Sequence, residues 1–291
     1  MLNSKRGAGW KQFFISVPMT EATSGTARLA AAFARAKTQG RGALIPYLCA
    51  GDPDRATSAG LLAALGPAGA DIIELGIPYG DPLADGPTIA AAAQRAIDGG
   101  TTLDDALGLA AQAARDGAPP ILAFTYFNPV LQYGIERFAD ALVAAGACGA
   151  IVPDVPLEET DALRKAFAPR GLALPLLIAP TTPPARAAAI AAASEGFVYL
   201  VSRLGVTSAS KEPDFAWIAA RVAALRGATA LPLAIGFGIS SAEHIRRAYE
   251  IADGAIVGSA LIDAYAGTDG EEAVARVRAF LTRLGGAPGV P

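Results

Sequence analysis

The feature that most constrains the fold is a unit that the chain repeats eight times from residue 43 onward. Each unit is a short apolar run that ends in small or polar residues, followed by an alanine-rich amphipathic stretch. The runs are too apolar for strands with one solvated face, and they are typical of parallel strands covered by helices. We predict strands over residues 43–48, 71–75, 121–125, 150–153, 172–178, 197–201, 233–235 and 254–257.

Eight strand–helix units within roughly 250 residues predict an α/β protein with a single (β/α)8 TIM barrel as its catalytic domain. A doubly wound parallel sheet is the alternative that the same alternation permits. We expect the barrel over residues 25–285, with an extra N-terminal helix, covering 26–36, against its N-terminal face. Residues 1–24 are expected to form a disordered leader, and 286–291 a frayed tail.

Two helix starts carry local capping signals. Thr182 followed by Pro183 predicts an N-cap with proline at the first helical position. Ser240 and Glu243 have the spacing of a capping box, which predicts a helix beginning beside them. His244, the only histidine, falls in that helix and is expected on its surface.

Composition and charge exclude several classes of function. The net charge of −3 offers no basic footprint for nucleic acid. No apolar run of 18 residues is free of glycine, proline and charge, so we expect no membrane span. Residues 1–18 lack the apolar stretch of a signal peptide, and Cys49 and Cys148 lie outside any CxxC motif. We therefore expect a cytoplasmic protein.

The inventory of reactive side chains also limits the chemistry. A single histidine excludes a histidine-based triad and a histidine metal cluster. Lys165 and Lys211 lie outside the strand ends, which leaves no obvious lysine for a Schiff base. Any cleavage of a carbon–carbon bond would therefore depend on carboxylates.

Two carboxylates stand where a barrel carries its active site, at the carboxyl ends of the strands. Glu74 ends the second apolar run, and Asp85 follows eleven positions later on a loop stiffened by proline and glycine. A carboxylate at the end of a buried strand is costly unless it is paired, solvated or used. The two could divide proton donation from charge stabilisation. Alternatively, Glu74 accepts backbone N–H bonds as a structural residue and Asp85 is a turn or cap aspartate.

Small residues follow the seventh and eighth runs, each just before a helix. Gly236 and Gly238 follow the seventh run, and Gly258 and Ser259 follow the eighth. Loops at these two strands form phosphate sites in many barrels, because glycine lets backbone N–H groups approach an anion. The alternative is a pair of ordinary strand-to-helix turns. The pattern favours a dinucleotide site even less, because the third glycine of the dinucleotide-binding fingerprint is missing.

Nine segments of the chain carry a resemblance to a known family: 44–53, 74–87, 126–129, 152–156, 179–183, 199–203, 205–207, 236–241 and 258–260. From about residue 26 to residue 284 the chain resembles the tryptophan synthase α subunit family. The 74–87 stretch is the most specific part of this resemblance.

The resemblance implies a lyase of tryptophan biosynthesis that cleaves indole-3-glycerol phosphate to indole and glyceraldehyde 3-phosphate. Glu74 matches the family's general acid/base, and Asp85 matches the carboxylate that binds the indole N–H. The positions that match the indole pocket and its closing loop are Tyr47, Phe124, Tyr126, Ile178, Tyr199, Thr207 and Phe237. Those that match the phosphate site are Ser208, Gly236, Gly238, Gly258 and Ser259.

The resemblance also implies a partner, the tryptophan synthase β subunit, in an α2β2 heterotetramer. Family positions on the face that meets this partner are matched by Pro78, Asp81, Pro82 and Asn128. Pyridoxal phosphate is expected on the β subunit only, with no cofactor and no metal on this chain. The chain departs from the commonest family pattern at Cys49, Gly80 and Ser208.

Three other functions stay open at this stage. A stand-alone lyase of the same fold would release free indole. A phosphosugar isomerase could use the same barrel, although the aromatic residues of the pocket favour an indole. An inactive barrel could regulate a partner, but the presence of both Glu74 and Asp85 argues against it.

Overall fold

A computed structural model describes residues 24–202 and 213–285, and within them eight parallel strands form one sheet. The hydrogen-bonded order is β4-β3-β2-β1-β8-β7-β6-β5. The strands are β1 (Ala43–Cys49), β2 (Ile73–Gly76), β3 (Ile121–Phe124), β4 (Gly149–Ile151), β5 (Leu176–Ile178), β6 (Val198–Val201), β7 (Leu233–Gly236) and β8 (Gly254–Val257). Every predicted strand is present, with ends that shift by a few residues.

The sheet closes on itself between β4 and the segment before β5. Gly149 forms a parallel bridge with Ala173. The N–H of Ala150 donates to the carbonyl of Ala173 at 3.1 Å, and the N–H of Ala173 donates to that of Cys148 at 2.8 Å. Consecutive strands are neighbours around the whole ring, so the (β/α)8 barrel is confirmed and the doubly wound alternative is wrong. β5 begins later than predicted, and Pro175 just before it has no N–H for the sheet.

Twelve α-helices in the described part of the chain surround the strands. They are α1 (Gly25–Thr38), α2 (Arg55–Leu65), α3 (Pro87–Asp98), α4 (Leu103–Arg115), α5 (Phe127–Tyr133), α6 (Ile135–Ala144), α7 (Asp161–Phe167), α8 (Pro184–Ala193), α9 (Phe215–Leu225), α10 (Ala242–Ile251), α11 (Ser259–Tyr265) and α12 (Gly270–Arg283). Two 3-10 turns cover Leu157–Glu159 and Ala168–Arg170. None of the helices seen in residues 24–202 and 213–285 is long and apolar enough to cross a bilayer.

The predicted extra helix is α1, which lies at the amino ends of the strands. Its Phe33 ring packs 5.6 Å from the ring of Phe197, just before β6. The hydroxyl of Ser24 accepts the N–H of Ala27 and caps the helix. Because the face that contains Phe33 is buried, α1 covers the end of the barrel opposite to the carboxyl ends of the strands.

Both capping predictions are displaced by one residue. α8 begins at Pro184, and the Thr182 hydroxyl instead accepts the N–H of Ala179 at 3.1 Å. Ser241, not Ser240, caps α10 by accepting the N–H of His244, so no capping box with Glu243 forms. The expectation of a surface histidine is wrong as well.

His244 lies on the inner face of α10. Its side chain is buried, and its ring centroid lies 6.0 Å from that of Phe215 on α9. The amphipathic pattern of α10 turns Ile245 and Ala248 toward the barrel, and His244 shares that side of the helix.

The Gly149–Ala173 contact that closes the barrel leaves no room for a side chain at position 149, which can be tested. A Cβ there would lie 2.0 Å from the carbonyl oxygen of Ala173, and φ is +149°. We expect Gly149→Ala to lower the free energy of unfolding by at least about 2 kcal/mol, because β4 must move away from its partner. The measurement is a denaturant melt. The matched control is Gly108→Ala in α4, where no atom lies within 4 Å of the new methyl group.

In the control, replacing a helical glycine should stabilise the protein by about 0.5–1 kcal/mol. Equal effects of the two substitutions would show that the closing contact at Gly149 tolerates a side chain.

Candidate active site

A cavity opens at the carboxyl ends of the strands and encloses about 520 Å³, part of which is open to solvent. It brings together Glu74, Asp85 and both predicted phosphate loops, which are far apart in the sequence. The lining residues are Tyr47, Glu74, Asp85, Ile89, Phe124, Tyr199, Phe237, Gly238, Ile239, Ser240, Ile256, Gly258, Ser259 and Ala260.

Glu74 lies in β2, between Tyr47 of β1 and Leu122 of β3. Its side chain is 1% exposed, and its Oε1 atom has no hydrogen-bond partner within the described residues. Burial raises the pKa of this carboxyl from 4.5 to about 8, because the charged form loses its water. The alternative of a structural carboxylate that accepts several backbone N–H groups does not fit an oxygen without a partner. Glu74 is instead a neutral acid near pH 7, able to donate a proton into the cavity.

Asp85 lies on the loop between β2 and α3, two residues before the first residue of the helix. Burial raises its pKa from 3.8 to about 6, and a hydrogen bond with Tyr126 offsets part of that rise. The hydroxyl of Tyr126 also accepts the N–H of Ala84 at 3.0 Å, which fixes this part of the loop. Asp85 is therefore mostly ionised at pH 7, whereas Glu74 is mostly protonated, and the two carboxyls are suited to different tasks.

Two aromatic pairs form the walls of the cavity. The rings of Tyr47 and Phe124 meet edge to face at 5.7 Å, and those of Tyr199 and Phe237 at 5.9 Å. Such an apolar, aromatic space accepts a flat ring better than it accepts an open-chain sugar.

Phe237 is the one residue other than glycine with a positive φ, 69°, in the part of the chain that the structure describes. The hydroxyl of Ser202 donates to the carbonyl of Phe237, and the N–H of Ser202 donates to that of Gly236 at 3.0 Å. These contacts from the end of β6 hold the strained loop after β7 in place, and strain of this kind is typical of functional sites.

Three predicted site residues do not line the cavity. Tyr126 supports Asp85 from the side, and Ile178 is buried at the end of β5. Gly236 provides room for an aromatic wall, because a Cβ there would lie 2.3 Å from the hydroxyl of Tyr199. The sequence signal at Gly236 therefore has a packing explanation in this structure. Thr207 and Ser208 lie outside the described residues.

Another end of the cavity is formed by the loops after β7 and β8. Gly238, Gly258 and Ser259 line it, and Gly258 is the N-cap residue of α11. The first N–H groups of a helix have no acceptor within the helix, so this end of the cavity is suited to an anion.

The structure adds five lining residues that the sequence did not single out. Ser240 stands within the segment that carries the family resemblance, but a serine before a helix usually signals a cap. The other four are apolar or small and have no polar signal: Ile89, Ile239, Ile256 and Ala260. In residues 24–202 and 213–285, no cluster of three or more metal-ligating side chains occurs.

The four predicted interface residues lie on one side of the cavity mouth. Pro78, Asp81 and Pro82 belong to the loop that ends at Asp85, and all three are at least partly exposed. Asn128 is exposed at the start of α5, and its amide donates to the hydroxyl of Tyr79 at 3.1 Å. The hydrogen bond connects α5 to the same loop, so the residues form one continuous rim.

Comparison with known proteins identifies the family. Residues 33–285 match the family model described as tryptophan synthase alpha chain. The tryptophan synthase alpha chain of Chloroflexus aurantiacus is 48% identical over 258 residues, which are 88% of this chain and 97% of that protein. The Arabidopsis thaliana protein of the same name is 44% identical and covers 89% of this chain and 94% of its own length. The chain belongs to the tryptophan synthase alpha chain family.

Solved structures agree with this assignment. A chain of tryptophan synthase from Mycobacterium tuberculosis superimposes with a TM-score of 0.82 and 38% identity, covering 89% of this chain and 97% of that one. The alpha subunit from Legionella pneumophila gives a TM-score of 0.78 and 34% identity, with coverages of 88% and 96%. The family and the TIM barrel expected from the sequence are both confirmed.

The raised pKa of Glu74 predicts a pH-dependent stability. The folded chain releases this proton near pH 8 and the unfolded chain near 4.5, so the contribution of Glu74 to stability is largest below pH 4.5 and is lost as the pH rises to about 8. Glu74→Gln has no proton to lose. Above pH 8 we expect it to exceed the wild type in free energy of unfolding by at least about 2 kcal/mol. Chemical denaturation at several pH values measures the difference.

Asp85→Asn is the matched control. Asp85 in the wild type has a pKa of about 6, so the free energy of unfolding that Asp85→Asn gains over wild type should level off above pH 6. The gain of Glu74→Gln should continue to grow until pH 8. A Glu74→Gln profile parallel to that of wild type would contradict the desolvated, neutral Glu74.

Proposed function

We propose that this chain cleaves indole-3-glycerol phosphate to indole and glyceraldehyde 3-phosphate with Glu74 as the acid/base and Asp85 as the stabilising anion. The chain is a tryptophan synthase alpha chain by family, and therefore a lyase of tryptophan biosynthesis. The observation that carries the assignment of roles is the pair of unlike carboxyls in one aromatic cavity. Glu74 holds a proton that it can donate, and Asp85 holds a negative charge.

The proposed reaction begins with proton transfer from Glu74 to the indole ring carbon that bears the glycerol chain. The ring becomes an indoleninium cation, and its N–H donates to the carboxylate of Asp85, which stabilises the positive charge. The Glu74 carboxylate then removes the proton of the adjacent glycerol hydroxyl. The electron pair of the carbon–carbon bond moves into the ring as the new carbonyl forms. One proton is given and one is recovered, so Glu74 ends in its starting state.

The two ends of the cavity orient the substrate for this step. The aromatic pairs Tyr47–Phe124 and Tyr199–Phe237 hold the indole, and Gly238, Gly258 and Ser259 receive the phosphate. We propose that Gly236 and Ile178 act indirectly, by shaping the walls. Thr207 and Ser208 keep the roles that the resemblance implies for them, a closing-loop contact and a phosphate contact.

The aromatic cavity disfavours a phosphosugar isomerase, and the high coverage of relatives named tryptophan synthase alpha chain favours the biosynthetic enzyme over a stand-alone lyase. The same names favour an enzyme over an inactive regulatory barrel. We propose that this chain needs no cofactor of its own, with pyridoxal phosphate on the partner only, and that it acts in the cytoplasm.

We further propose that the rim beside the cavity mouth binds a tryptophan synthase β subunit, in an α2β2 complex. The support is an apolar surface around the residues that the resemblance places there. Leu83 is 73% exposed beside Pro82, and Leu131 is 53% exposed one helical turn after Asn128. A large exposed apolar side chain costs solvation free energy that a partner surface would recover. Indole leaving the cavity would pass this rim.

Substitution of the two carboxyls tests the proposed chemistry. Glu74→Gln keeps the size of the side chain but cannot transfer the proton, so cleavage should fall at least about 100-fold. Asp85→Asn should also lose most of its activity, because a neutral amide does not offset the charge of the indoleninium. Release of indole from indole-3-glycerol phosphate measures both. A Glu74→Gln protein with near-normal cleavage would overturn the assignment of Glu74.

Charge reversal on the rim tests the proposed partner surface. Asp81→Lys should weaken binding of a tryptophan synthase β subunit while the unfolding midpoint stays within a few degrees of wild type, because Asp81 is exposed. Co-purification or calorimetric titration measures the affinity. The matched control is Asp116→Lys, an exposed aspartate at the C-terminal end of α4, which should leave affinity unchanged. Equal affinity of the two variants would remove Asp81 from the interface.

A further inference from the structure

An ion pair between a buried aspartate and a partly exposed arginine, outside the cavity lining, connects two helices that flank the site. Asp52, just after β1, is 0% exposed. Its Oδ1 accepts Nε of Arg95 at 2.7 Å, and its Oδ2 accepts Nη2 of Arg95 at 3.0 Å and the hydroxyl of Tyr265 at 2.7 Å. A carboxylate this deeply buried is tolerated because three donors surround it.

Both donors are on helices that begin at the site. Arg95 lies on α3, whose first residue, Pro87, comes two positions after Asp85. Tyr265 is the last residue of α11, whose first residue, Ser259, lines the anion end of the cavity. The Asp52 carboxylate therefore binds a residue toward the C-terminal end of each helix. The N-terminal ends of the two helices lie beside the two groups of residues that would bind different parts of the substrate.

The first turn of α3 also contacts α11 directly. The hydroxyl of Thr88 on α3 donates to the carboxylate of Asp263 on α11 at 3.2 Å. A Cβ on Gly258 would lie 3.5 Å from Cδ1 of Ile89, so the Ile89 side chain of α3 packs against the backbone just before α11. α3 and α11 therefore contact each other and also share Asp52 as a hydrogen-bond partner, so the position of one helix depends on the other.

We propose that Asp52 is a positioning residue, which sets the distance between Asp85 and the phosphate end of the cavity through Arg95 and Tyr265. The proposal rests on the function proposed above. Its substrate is bound at both ends at once, so the spacing of the two ends decides how well the indole N–H meets Asp85. Loss of the Tyr265 contact loosens α11 more than α3, and loss of the Arg95 contact loosens α3 more than α11.

The test is a separation of KM from kcat across three variants. Tyr265→Phe should raise KM for indole-3-glycerol phosphate by about threefold or more with kcat within twofold, because the phosphate end of the cavity loosens most. Arg95→Gln should lower kcat by about threefold or more with a smaller change in KM, because Asp85 is displaced. Asp52→Asn should change both.

Two matched controls come from the opposite end of the barrel. Tyr249→Phe removes a hydroxyl on a partly buried side chain that interacts with Arg41, and Arg170→Gln removes ion pairs with Glu136 and Asp140. Both should leave kcat and KM within twofold of wild type, whatever they do to the melting temperature.

Unchanged kcat and KM in all three test variants, with lowered melting temperatures, would overturn the proposal and leave the ion pair a stabilising contact only. Tyr265→Phe keeps the Asp52–Arg95 pair intact, so the proposal stays testable if Asp52→Asn does not fold. A wild-type chain without cleavage would instead refute the proposed function. In that case calorimetry with inorganic phosphate still tests the α11 half, because Tyr265→Phe must bind phosphate more weakly than wild type and Tyr249→Phe must not.

Discussion

Closure of the sheet between β4 and the segment before β5 is the constraint on which the rest of the structure depends. The Gly149–Ala173 bridge joins the two ends of an eight-stranded parallel sheet, so every strand delivers its carboxyl end to the same rim. Glu74 on β2 and the loops after β7 and β8 can share one cavity only because the ring is closed. In an open sheet of the same strand order, β4 and β5 would be distant edges, and the rim would not surround a substrate.

Within that ring, the proposed chemistry depends on a difference in hydration between two carboxyls. Glu74 is in the barrel wall, where burial without a hydrogen bond to Oε1 favours the neutral acid. Asp85 is on a loop nearer to solvent and interacts with Tyr126, which favours the anion. The arrangement costs stability from about pH 4.5 upward and costs most above pH 8, since the folded chain resists ionisation of Glu74. A proton donor and an anion in one cavity at the same pH require this kind of unequal environment.

Much of the fold could be predicted because its signals are local and repeated. All eight strands and the extra helix follow from apolar runs and amphipathic stretches, and both are confirmed with small shifts at the ends. The caps predicted at Thr182 and Ser240 lie one residue further along the chain, at Pro183 and Ser241. Adjacent Ser, Thr and Pro residues are nearly equivalent as sequence signals for a helix start. His244 was placed on the wrong face, since its burial depends on Phe215 of another helix.

The sequence by itself determined the fold class, the family and the two carboxyls, because each depends on residue type and spacing along one segment of chain. Only the tertiary structure decided which residues meet. It separates Gly236, which makes room for Tyr199, from Gly238, which lines the cavity, although the two look alike in the sequence. It also places Asp52 against Arg95 and Tyr265, and Ile89 against the site. Those contacts form because closure of the barrel brings the helices together. Residue spacing along the chain does not show which helices will meet.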